Sequence, residues 1–123
     1  MPRIPTLLAA FLSALALSLS LAAHANQMPP LAQFKHDTRH CQLDAEPDPN
    51  DRVVASTRTH LVLRQDAGNS CAAGTFFLLN MRERTFRPVD AGTCDDRNFS
   101  VTLSPNQLTF RQGGRITALY PIY

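Results

Sequence analysis

The chain has 123 residues, 44% of them hydrophobic and 18% charged, with 12 basic and 10 acidic side chains. A formal net charge of +2 is too small for the dense basic face that nucleic-acid binding requires, so that class of function is excluded first. The length is that of one small domain, and three cysteines are too few for a framework of several disulfides.

The first 25 residues have the layout of a secretory signal peptide. Arg3 precedes an uncharged apolar run from Leu7 to Ala23, and small residues stand at Ala23 and Ala25, the two positions that a signal peptidase reads. An uncleaved membrane anchor is the alternative, but serines interrupt the run, which is short for a span of about 20 apolar residues. We expect cleavage after Ala25 and export to the bacterial periplasm or beyond, with no transmembrane segment in the mature chain.

Residues 26–51 are expected to form an N-terminal segment followed by an acidic, proline-rich loop. The stretch 26–30 is predicted to be a flexible terminus, and 31–43 has a pattern that suits either a short helix or a strand. After it, two prolines, an asparagine and several acidic residues predict a solvated loop.

A possible metal site lies within this N-terminal segment. On a helix, His36 and His40 would share one face, as two ligands of zinc or copper can, and Cys41 or His60 would have to complete the set. This spacing supports an alternative function as a small periplasmic metal-binding protein. The main expectation is a protein that holds no metal and no other cofactor.

The pattern from residue 52 onward is that of β-strands separated by short turns. Apolar residues fill both faces of 75–81, as expected of a central strand, whereas Pro88 lacks an N–H and predicts an edge or a bulge. Strict alternation predicts inward-facing side chains in the last three strands; these residues are Phe99, Val101, Leu103, Leu108, Phe110, Ile116, Ala118 and Tyr120. The absence of helical periods predicts a mainly β fold, a small antiparallel meander of about five to seven strands, built as a sandwich or small barrel over residues 52–123.

The spacing of Cys71 and Cys94 predicts a disulfide at the mouth of a β-hairpin. In an antiparallel hairpin, each step back along the first strand is matched by one step forward along the second. If residues 81–84 form a four-residue loop, this register places Cys71 opposite Cys94. Opposed residues of a non-hydrogen-bonded pair are close enough for a disulfide. Pairing of either residue with Cys41 is the alternative, since spacing alone does not decide connectivity.

Arginines surround the predicted hairpin tip at Arg82, Arg84 and Arg87. Arginine is enriched at protein interfaces because its planar fork pairs well and is weakly hydrated, although a solvated turn would have a similar composition. The sequence contains no recognised nucleophile elbow, phosphate loop or metalloprotease motif, and a triad around His60 would make a small hydrolase only a remote alternative. We therefore expect an exported, non-enzymatic module that binds a protein or another envelope component, at most inhibitor-like or immunity-like.

Overall fold

The structure of the protein is a computed structural model, which describes residues 27–39 and 45–123. The predicted signal peptide, together with His40 and Cys41, lies outside the described residues. Within these two ranges, two 3-10 helices, Leu31–Gln33 and Gly68–Ser70, accompany eight strands. The strands are β1 Lys35–His36, β2 Arg52–Ser56, β3 His60–Gln65, β4 Thr75–Asn80, β5 Thr85–Val89, β6 Phe99–Leu103, β7 Gln107–Gln112 and β8 Arg115–Pro121.

The strands form a five-stranded sheet, in the order β1-β5-β4-β3-β2, and a three-stranded sheet, β6-β7-β8. All pairs are antiparallel except β1 with β5. The prediction of a small, mainly β antiparallel fold is confirmed. Seven strands, β2 to β8, lie within residues 52–123, as predicted, and β1 lies in the segment whose pattern suited either a short helix or a strand.

Strand β4 is central to the larger sheet, and both of its faces are buried. Phe76 and Leu78 face the smaller sheet, where they pack with Leu108 and Phe110 in the core between the two sheets. The alternate residues of β4, Phe77 and Leu79, belong to a second apolar cluster on the opposite face. The doubly apolar pattern of this strand therefore reflects two separate cores, as expected for a strand covered on each side.

The N-terminal segment covers the second cluster. Met28, Leu31 and Phe34 pack against it, as does Met81 from the β4–β5 turn. The expectation of a flexible terminus is wrong at Met28, because that side chain is half-buried in this contact. The fold consequently has three layers, namely the N-terminal segment, the five-stranded sheet and the three-stranded sheet.

The predicted hairpin and its disulfide are both confirmed. Strands β4 and β5 pair in the expected register, with Asn80 opposite Thr85 and Phe77 opposite Pro88. Cys71 and Cys94 form the disulfide, with their Cα atoms 4.6 Å apart. The disulfide joins the two segments that flank the hairpin, beyond its last strand pair, Phe76 with Val89. It therefore closes the mouth of the hairpin.

Two local predictions on the outer strands have different outcomes. Pro88 lies in the part of β5 that extends past its short pairing with β1, so its missing donor costs no ladder bond there. The inward orientation predicted for Ile116 is wrong: a bulge in β8 shifts the register between Ile116 and Ala118, and Ile116 is 54% exposed. The bulge inserts one residue and thereby reverses the alternation that the sequence predicted.

Candidate functional site: a basic end and the adjoining cavity

The β4–β5 turn is held by the side chain of Asn80. Its Oδ1 atom accepts hydrogen bonds from the backbone N–H groups of Arg82 and Glu83, each at 3.0 Å. Arg84 closes the turn in the left-handed region at φ +55°. The side chains of Arg82 and Arg84 are consequently exposed on a turn whose backbone is fixed.

The β2–β3 turn lies directly beside this tip. The backbone N–H of Met81 donates to the carbonyl of Thr59 at 2.8 Å, which joins the two turns. The Thr57 hydroxyl accepts from the backbone N–H of His60 at 3.1 Å and so shapes the turn without glycine or proline. Arg58, between the two threonines, is exposed at the same end of the sheet as Arg82.

Strand β1 and the residues after it bring further cations to this end. The backbone N–H of Lys35 donates to the carbonyl of Arg84 at 2.9 Å. The Arg39 guanidinium contacts both carboxylate oxygens of Asp37 at 3.0 Å and an oxygen of Glu83 at 2.8 Å. Arg39 thus bridges the two acidic side chains of this region, and the hydrogen bond to Asp37 is the main reason that its pKa is raised.

We call this region the basic end, defined by Lys35, Arg39, Arg58, Arg82, Arg84 and Arg87. Among the described side chains, two acidic residues, Asp37 and Glu83, lie beside these six cations. Elsewhere among the described residues, five arginines are outnumbered by seven acidic side chains. The near-neutral composition therefore conceals a charge separation, with a formal surplus of four positive side chains at one end of the described sheet.

Within the basic end, Arg87 differs from Arg82 and Arg84 in its burial. Arg82 and Arg84 are exposed on the tip, whereas Arg87 is half-buried on β5 opposite Leu78. Its guanidinium lies over the Tyr120 ring, 5.7 Å from the centroid, within the range of a cation–π interaction. Burial is the main cause that lowers the pKa of Arg87.

A cavity of about 250 Å³ opens next to Arg87, between β5 and the last residues of β8. These strands belong to different sheets and are joined here by side chains. The Tyr120 hydroxyl donates to the Asp90 carbonyl at 2.6 Å and accepts from the Asp90 N–H at 2.9 Å. Residues of β5 and the end of β8 line the cavity, together with the polar residues Asp37, Arg39, His60 and Asn80.

His60 forms part of the cavity wall and is only 8% exposed. Its Nδ1 atom lies 2.8 Å from the Thr59 hydroxyl, a threonine rather than the carboxylate that a catalytic triad would place there. Burial lowers the pKa of His60 and the positive charges of Arg87 and Arg82 lower it further, while Glu83 acts in the opposite direction. At neutral pH the ring is therefore uncharged despite the acidic side chain nearby.

Of the predicted metal ligands, only His36 and His60 lie within the described residues, and the sheet places these two apart. His36 lies in a strand, so the helical spacing invoked for His36 and His40 does not apply; His40 and Cys41 lie outside the described residues. His36 packs edge-on against Phe86 at 5.1 Å, and both of its buried ring nitrogens have no hydrogen-bond partner. His60 is on the opposite face of the same sheet, so these two histidines cannot share an ion.

Within 27–39 and 45–123, no group of three His, Cys, Asp or Glu side chains is arranged to hold a metal ion. In the same ranges, no helix has the length and apolar character needed to cross a bilayer. Comparisons with protein families, with curated proteins and with solved structures find no match for this chain.

Sequence reasoning missed three members of the basic end, Lys35, Arg39 and Arg58. They are distant in sequence from the arginines of the hairpin tip, and only strand pairing brings them together. Arg58 had one weak signal, since threonines flank it and threonine hydroxyls favour short turns. Arg39 had none, because its position depends on the parallel pairing of β1 with β5.

Proposed function

We propose that the protein is an exported, non-enzymatic binding module that docks through its basic end on an acidic protein surface in the cell envelope. An inhibitor or immunity-type protein is the most concrete form of this proposal. The observation that carries it is the separation of charge, because six cations converge at one end of a chain that is otherwise slightly acidic.

Export is supported by two independent features. The first 25 residues have the three-part pattern of a signal peptide, and the Cys71–Cys94 disulfide is compatible with an oxidising compartment. The disulfide also suits a recognition module, since it closes the mouth of the hairpin that carries Arg82 and Arg84 at its tip.

The arrangement of the basic end favours a protein partner over a polyanion. Arg39 holds Asp37 and Glu83 within the cationic surface, so positive and negative groups alternate there as they do at protein interfaces. A mature net charge near +1 provides little of the counterion release that drives binding to a polyanion. Complementary charge on a protein surface instead accelerates association and selects the partner.

Capture of partners from a cell-envelope extract tests the proposal. The mature protein should retain a dominant protein partner, and Arg82→Glu combined with Arg84→Glu should weaken its capture by about tenfold or more, because the double variant reverses two charges at the contact. The matched control is Arg111→Glu combined with Arg115→Glu, an equal charge reversal beside the Gly113–Gly114 turn at the other end of the sandwich. Equal capture by the two double variants would contradict the assignment to the basic end.

A further inference from the structure

Strand β6 is a free edge of the three-stranded sheet. It pairs with β7 on one side, and no described strand pairs with it on the other. The backbone N–H of Ser104, at the end of β6, donates to the Gln107 carbonyl at 2.9 Å. Hydrogen-bonded pairs alternate along an antiparallel ladder, so this bond fixes which residues of β6 bond to β7. The backbone N–H and C=O groups of the alternate residues point away from the sheet; these residues are Phe99, Val101 and Leu103.

The side chains of these three residues are also incompletely covered. They pack against the core between the sheets, but each is only half-buried, whereas Leu108 and Phe110 on the neighbouring β7 are fully buried. Strand β2 of the other sheet lies near β6 but does not pair with it. The edge of β6 therefore presents unpaired backbone groups and apolar side chains together.

The other edge strands of the two sheets carry features that discourage pairing. Strand β1 has only two residues, and β2 contains a bulge. Strand β8 contains a bulge and ends in Pro121, and the Thr117 hydroxyl within it donates to the Ala91 carbonyl at 2.6 Å. Proteins protect exposed edges with such short strands, bulges and prolines, or with charged side chains. Strand β6 has a regular register and contains neither a proline nor a charged residue.

We propose that two copies of the chain pair through β6, in antiparallel orientation about a two-fold axis at Val101. Val101 then lies opposite Val101 of the second copy, and Phe99 lies opposite Leu103 of the second copy. Each of these opposed pairs exchanges two backbone hydrogen bonds. The two three-stranded sheets thereby become one continuous sheet, in which the half-buried side chains of β6 are covered.

The residues of β6 suit a second copy as the occupant of this edge. On the outer face, Ser100 lies opposite Thr102 of the second copy, and paired hydroxyl side chains are favourable across strands. Because β6 contains no charged residue, the pairing brings no like charges together. A two-fold pair uses each β6 edge once, so assembly ends at the dimer.

This interface is separate from the basic end. The turn after β6 accepts a hydrogen bond at the Asn106 carbonyl from the Ile122 N–H, 2.8 Å long, and Ile122 lines the cavity beside the basic end. Strand β6 therefore runs toward the basic end, and antiparallel pairing directs the basic ends of the two copies to opposite poles of the dimer. Both remain uncovered, so the dimer goes beyond the proposed function and does not depend on it.

Sedimentation velocity on the isolated mature protein tests whether the dimer forms. Between about 10 µM and 1 mM the mass should rise from that of a monomer to that of a dimer, with a dissociation constant on the order of 0.1 mM because the contact is short. A monomer throughout this range, or growth beyond the dimer, would overturn the inference.

Hydrogen exchange locates the contact without any substitution. The amide of Val101 should exchange more slowly as the protein concentration rises, since it gains a hydrogen bond only in the dimer. The amide of Thr102 is the internal control, because it is already bonded to β7 and should change little. Exchange at Val101 that does not depend on concentration would contradict pairing through β6.

Two double variants test the register, and both place their substitutions at the exposed positions of β6. Ser100→Glu with Thr102→Glu sets like charges opposite each other across the two-fold axis, whereas Ser100→Glu with Thr102→Lys sets opposite charges there. Within each copy, the glutamate at position 100 faces Arg111 on β7 in both variants, so they are matched within the monomer at that position. The first should dimerise at least about tenfold more weakly than the second. Equal dissociation constants would refute the register, and neither result depends on capture of a partner by the basic end.

Discussion

Replacing Cys71 and Cys94 together by serine should destabilise the fold by an amount that follows from the loop they close. The two residues are 23 positions apart, and a loop of this length corresponds to about 3 kcal/mol of denatured-state entropy at 25 °C in the chain-entropy model. For a domain of about 100 residues, each 1 kcal/mol lowers the melting temperature by roughly 4–8 °C, so a decrease of about 12–24 °C is expected.

Urea denaturation followed by circular dichroism measures this change directly. The unfolding free energy should fall by about 3 kcal/mol, and the m-value should rise because the uncrosslinked denatured chain exposes more surface. Cys41→Ser is the control: it leaves the Cys71–Cys94 bridge in place and should therefore keep the wild-type m-value. A loss below about 1 kcal/mol in the double variant, or an equal rise of the m-value in Cys41→Ser, would refute the reasoning.

Three further predictions concern contacts that position the site. Tyr120→Phe removes both hydrogen bonds to Asp90 and should cost about 1–2 kcal/mol in urea denaturation; an unchanged midpoint would show that this junction does not stabilise the fold. Gly92→Ala should destabilise more than Gly113→Ala, because both have positive φ but only at Gly92 would the added Cβ overlap a backbone carbonyl of β8; equal losses would contradict this. Because the pKa of His60 is lowered in the folded state, the wild-type unfolding free energy should fall as pH drops through about 6.5 toward that lowered pKa, and His60→Gln should reduce this dependence; identical pH profiles would argue against a buried, neutral His60.

The parts of the fold that the sequence predicted correctly depend on local patterns. The β4–β5 hairpin follows from a symmetric arrangement of two apolar runs around residues 81–84, and that symmetry also favoured Cys94 over Cys41 as the partner of Cys71. The alternation in β6 and β7 placed Phe99 and Phe110 in the core for the same reason. In each case the relevant interaction joins neighbouring strands connected by one short turn.

The parts that it missed depend on long-range pairing or on irregular backbone. The bulge that exposes Ile116 carries no glycine to signal it, and the β2–β3 turn contains none of the usual turn-forming glycine, proline or asparagine residues. The convergence of Lys35 and Arg39 with the hairpin tip requires the parallel β1–β5 pair. A sequence pattern that records only local periodicity contains no information about that contact.

The association rate of the captured partner, measured as a function of ionic strength, tests the proposed role of the basic end most directly. The rate for the wild-type protein should fall steeply with added salt, since exposed complementary charges steer the encounter. The Arg82→Glu, Arg84→Glu variant should associate more slowly and with a much weaker salt dependence, whereas the Arg111→Glu, Arg115→Glu control should follow the wild type. An association rate that is independent of salt, or that responds equally to both double variants, would contradict recognition through the basic end.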